Sequence, residues 1–70
     1  MEYKVTSKLI KVNHGLVDYI ADGYILQDDD MIPCEIGYID YGNEIEAAYI
    51  FTHTGVTEKG NCYYEETIKL

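Results

Sequence analysis

The stretch Ile36-Gly37-Tyr38-Ile39-Asp40-Tyr41-Gly42-Asn43-Glu44-Ile45-Glu46-Ala47-Ala48-Tyr49-Ile50-Phe51 constrains the fold more than any other. Cys34, Ile36 and Tyr38 alternate with Glu35 and Gly37 on its approach, the period of a half-buried strand. Gly42-Asn43 then reads as a two-residue hairpin turn that accepts positive φ. Beyond it, Ile45, Ala47, Tyr49 and Phe51 share one predicted face, opposite Glu44 and Glu46. A helix over residues 44–54 is the rival reading, with Asn43 as cap, Glu46 closing a capping box and Gly55 ending it. The β-branched and aromatic run Tyr49-Ile50-Phe51-Thr52 favours the strand.

The flanking segments repeat this pattern. Residues 2–12 alternate and predict a strand, with Tyr3, Val5 and Leu9 on one side. Asn13-His14-Gly15 predicts a short loop. Leu16 to Gln27 is apolar and β-prone, and Asp22-Gly23 marks either a bulge in one strand or a turn between two. Residues Gln27 to Pro33 read as a solvated loop, because Asp28, Asp29 and Asp30 repel one another and Pro33 lacks a donor. Glu58-Lys59-Gly60-Asn61 is a further turn, and Cys62 to Leu70 a last strand. The expected fold is therefore mainly β: one small antiparallel sheet of four to five strands, barrel-like or covered on one face, spanning residues 1–70 as a single domain.

At 70 residues the chain buries only about 60% of its unfolded surface, so little room remains for a deep cleft beside a core. This favours a binding module over an enzyme. His14, His53, Cys34 and Cys62 fall apart in the sequence, with neither the local pairing of a nucleophile and base nor the close ligand pairs of a zinc site. Asp28-Asp29-Asp30 lacks the alternating ligands and glycine of a calcium loop. No catalytic residue, metal or cofactor is assigned. No leader or apolar span opens the chain, so a cytoplasmic setting with reduced thiols is expected, although a Cys34–Cys62 bridge stays open.

Charge carries the functional expectation. Thirteen acidic residues face five lysines and no arginine, for a net charge of -8. No basic residue lies between Lys11 and Lys59, a span holding ten carboxylates from Asp18 to Glu58. Direct binding of a phosphate backbone needs clustered cations, so a nucleic-acid ligand is not expected, nor is a membrane. The field attracts basic partners instead. Eight tyrosines in so small a chain exceed what a core can hold with every hydroxyl satisfied, and tyrosine suits protein interfaces. Asp40, Tyr41, Glu44, Glu46, Asp28, Asp29, Asp30 and Tyr63 are therefore the candidate contacts for a basic, nucleic-acid-processing protein. In this reading the carboxylates stand in for a nucleic-acid backbone and the chain acts as an inhibitor, as small anti-defence proteins of phages and mobile elements do. An unpaired strand edge also leaves homodimerisation open.

Ile39-Asp40-Tyr41-Gly42-Asn43-Glu44 resembles the strand-turn-strand signature of Tudor domains, and Asp22-Gly23-Tyr24 is similar to their Asp-Gly-aromatic turn. The resemblance covers about residues 16–50 and departs from the family at Ile25-Leu26-Gln27. It implies an aromatic cage of Tyr24, Tyr38 and Tyr41, with Asn43 hydrogen-bonding a methylated Arg or Lys held by cation–π attraction.

Overall fold

A computed structural model describes residues 2–70. The strands are β1 (Glu2–Val5), β2 (Ile10–Lys11), β3 (Tyr19–Gln27), β4 (Asp30–Asp40), β5 (Ile45–Thr52), β6 (Gly55–Val56), β7 (Cys62–Tyr63) and β8 (Glu66–Lys69). Their pairing is antiparallel throughout. The main sheet runs β1-β3-β4-β5-β8, with β2 beside β1 on the same edge of β3, and it does not close into a barrel. β6 and β7 form a separate small hairpin. No helix among the described residues is long and apolar enough to cross a membrane.

The span 44–54 holds β5, Ile45–Thr52, and no helix. Four β-branched or aromatic residues in succession pair well on a pleated surface and crowd a helix. The expected loop of Gln27 to Pro33 contracts to two residues. Asp28 and Asp29 both hold positive φ, 50° and 64°, as a tight primed hairpin turn requires. Aspartate tolerates this conformation, so β4 starts at Asp30 and runs through Pro33. Pro33 lies past the last β4–β5 pair, Cys34↔Thr52, where no strand asks for its missing donor.

Asp22-Gly23 neither bulges nor turns, since β3 pairs with β4 without a break from Tyr19↔Tyr38 to Gln27↔Asp30. Gly23 serves close approach: a Cβ there would meet the Lys4 carbonyl oxygen at 2.2 Å and Ile36 Cδ1 at 2.5 Å. The single strand expected over residues 2–12 is split into β1 and β2. Between them Ser7 Oγ accepts from the Asp22 N–H at 2.8 Å. The last strand is likewise split at Tyr64-Glu65, where the chain crosses to the sheet edge. There the Tyr64 carbonyl accepts from Thr52 Oγ1, and the Glu65 N–H donates to Thr54 Oγ1.

One face of the sheet carries the core: Ile25, Ile32, Cys34, Ile36 and Ile50, flanked by Tyr3, Val5, Tyr38, Ala47, Tyr63 and Ile68. Ala21, Ile36, Ile50 and Ile68 form one row across four strands. On the other face Val17 is buried above Gly37, and Phe51 packs between His14 and Tyr49, with ring centroids 5.2 and 6.3 Å away. A β-bulge joins the two arrangements within β5. Gly37 faces Tyr49 while Tyr38 faces Ala47, which leaves Ala48 unpaired. The expected common face of Ile45, Ala47, Tyr49 and Phe51 is therefore divided. Ala47 turns to the core with Ile50, and Tyr49 and Phe51 turn away from it.

Candidate functional site

The tip of the β4–β5 hairpin is built around Gly42-Asn43. Tyr41 N–H donates to the Glu44 carbonyl at 2.9 Å, closing the turn. Gly42 has φ +93° and Asn43 does not share it, the pattern of a type II′ turn. Asp40 is committed to the same turn: its Oδ1 accepts from Gly42 N–H at 2.8 Å. Its own N–H donates to Asp18 Oδ2, also at 2.8 Å. Asp18 is in turn fixed by its N–H, which donates to the Tyr38 carbonyl at 2.8 Å. Two carboxylates are thus held by backbone donors at one end of the sheet, and with Lys11, Tyr19 and Gly42 they line a shallow hollow of about 360 Å³.

Around this frame Tyr41 is 56% exposed and Ile45 45% exposed, and Glu44 and Glu46 are exposed beside them. Glu44 stands in the turn and Glu46 in β5, so only Glu46 is fixed by strand pairing, opposite Ile39. Among the described residues the one ion pair is Glu35 Oε1 with His53 Nε2, at 3.1 Å. Every other carboxylate, including the four at this tip, has no lysine or histidine nitrogen within 4.0 Å among those residues.

The remaining candidates lie elsewhere. Asp28 and Asp29 are exposed at the opposite end of β4, about 34 Å along the strand from Asp40. Asp30 does not belong to the surface: it is 5% exposed, faces the core side, and accepts from Asn61 Nδ2 at 2.8 Å. Tyr63 is likewise not an outer contact. It packs on the core, with its ring over Gly55, because the break at Tyr64-Glu65 reverses the expected alternation. Tyr64 is the exposed tyrosine there, at 76%.

The implied cage does not assemble. Tyr24 pairs with Pro33, and Tyr38 lies five residues further along β4, which puts them on opposite faces and about 17 Å apart along the strand. Tyr38 is packed against the core, where burial and then the neighbouring Tyr3 raise its hydroxyl pKa. Tyr41 lies out at the tip, and Asn43 is exposed in its turn.

Two features escaped sequence reasoning. Asp18 reaches Asp40 across 22 positions, which no local pattern announces. Asp22 and Glu35 are directly paired across β3 and β4, so two carboxylates share one face, with His53 drawn onto Glu35. The pairing follows only from the register that the Asp28-Asp29 turn imposes. The thiols are free: Cys34 is buried and Cys62 exposed. Burial, and then Glu35, push the Cys34 pKa up to about 11. No family model matches the chain, and no curated protein or solved structure matches it.

Proposed function

We propose that the chain is a non-catalytic acidic binding module whose β4–β5 tip seats on a basic surface of a nucleic-acid-handling protein and blocks that surface. The observation that supports this most is the state of the tip carboxylates. Asp18, Asp40, Glu44 and Glu46 surround the exposed Tyr41 and Ile45 without a compensating cation within ion-pair distance among the described residues. Two of them are already held in place by backbone donors, so little ordering is lost on binding. Tyr41 and Ile45 supply apolar area inside a charged rim, the usual anatomy of a protein interface.

The test is capture at low salt on immobilised chain, followed by elution with free DNA duplex. Nucleic-acid-binding proteins are expected to bind and to be displaced by the duplex, and Glu44→Lys/Glu46→Lys is expected to capture none. Binding that survives about 1 M salt, where the screening length falls to about 3 Å, together with the double charge reversal, overturns the reading.

A further inference from the structure

β8 ends the sheet, and no strand among the described residues pairs with its outer side. Leu70 N–H donates inward to the Ala48 carbonyl at 2.9 Å. Backbone groups alternate along a strand, so Ile68 and Glu66 also point inward, and Thr67 and Lys69 present N–H and C=O outward.

We infer that β8 pairs antiparallel with β8 of a second copy, about a twofold axis at Ile68. In that register Thr67 of each copy faces Lys69 of the other, so the outward donors and acceptors meet one another. Ile68 faces Ile68 on the core side, and the row Ala21, Ile36, Ile50, Ile68 continues unbroken into the second copy. Glu66 faces the exposed Leu70, and no two like-charged side chains stand opposite. The neighbouring register, centred on Thr67, fits less well. It sets Glu66 against Ile68 and calls on the Glu65 N–H, which already donates to Thr54 Oγ1 at 3.2 Å. At the other sheet edge the chain leaves the strand line between β1 and β2, which interrupts any comparable run.

The pairing is isologous, as a closed dimer requires. Each chain carries a net charge of -8, so the copies repel over long range and salt strengthens the dimer by screening. This is opposite in sign to the salt response of an acidic tip on a basic partner, so the two proposals fail separately.

Sedimentation from micromolar to millimolar concentration, at low and high salt, tests the inference. A dimer is expected that tightens with salt, and Thr67→Pro, which removes an outward donor from an exposed edge position, is expected to stay monomeric with an unchanged β spectrum. Mixed labelled and unlabelled wild-type chain is expected to give intermolecular contacts between Ile68 methyls. Ile68→Cys, in a Cys62→Ser background, is expected to cross-link to itself on mild oxidation. A monomer at millimolar concentration and high salt overturns the inference, and so does a dimer that survives Thr67→Pro. Intermolecular contacts centred on Thr67 and not Ile68 overturn it as well.

Discussion

Gly37 and Val17 share one space: a Cβ on Gly37 would stand 2.6 Å from Val17 Cγ1 and 2.8 Å from Phe51 Cε2. Val17 is the only residue of the segment between β2 and β3 that is buried, at 3% exposure, so this contact holds the segment against the sheet. Gly37→Ala is expected to lower stability by about 1–3 kcal/mol, the usual cost of overpacking. Urea unfolding gives the magnitude. Amide exchange reports the location, with the largest loss of protection expected at Asp18 N–H, which bonds to the Tyr38 carbonyl.

Asn61 is the donor that satisfies the buried Asp30 carboxylate, and the same residue's N–H bonds to Thr57 Oγ1 at 3.1 Å. Asn61→Ala removes the side-chain bond and leaves a buried acceptor short of its donor, at an expected cost of about 1–3 kcal/mol. The β6–β7 hairpin is expected to loosen before the main sheet does. Faster amide exchange at Cys62 and Tyr63 than at Ile36 and Ile50 would show it.

Asp28 and Asp29 place like charges side by side in a turn that strains both residues at positive φ. Asp28→Asn with Asp29→Gly gives the sequence preferred at such a turn and removes the repulsion. The double variant is expected to raise the thermal midpoint by several degrees, about 1 kcal/mol in a domain of this size. An unchanged midpoint would show that the strain is already offset by Lys59, whose Nζ donates to the Asp28 carbonyl at 3.3 Å.

The thiols are expected to differ in reactivity. Iodoacetamide at mildly alkaline pH modifies Cys62 and spares Cys34 in the folded chain, since the thiolate is the nucleophile. Linkage gives a second readout. The Cys34 pKa stands at about 11 in the fold against an ordinary 9.0, chiefly through burial. Above pH 9.0 the unfolded chain loses this proton first. The contribution is therefore complete below that pH and lost as pH rises to about 11. Unfolding midpoints measured across that window are expected to fall, and to fall less steeply in Cys34→Ala.

Much of the sheet was legible because Cys34, Ile36 and Tyr38 alternate cleanly and Gly42-Asn43 can do little but turn. The tip residues Tyr41, Glu44 and Glu46 were legible as surface for the same reason. Asp30 and Tyr63 were not. Each lies next to a break whose length the sequence leaves open, the two-residue turn at Asp28-Asp29 and the crossing at Tyr64-Glu65. An error of one residue there exchanges inside and outside. The Asp18–Asp40 bond was illegible on different grounds, because it joins segments that only the completed β3–β4 pairing brings together.

Ala48, which has no partner on β4, divides β5 into two ends that can change independently. It acts as a phase break: the residues before it and after it obey separate inside-outside patterns. The hairpin end can therefore vary its residues, and even exchange its turn, without rewriting the pattern that keeps Ile50 and Thr52 inside. Deleting Ala48 would fuse the two patterns into one regular ladder, with Ala47 next to Tyr49 and each residue kept on its present face. One small residue thus separates the part of the strand that is free to diversify from the part that must stay fixed.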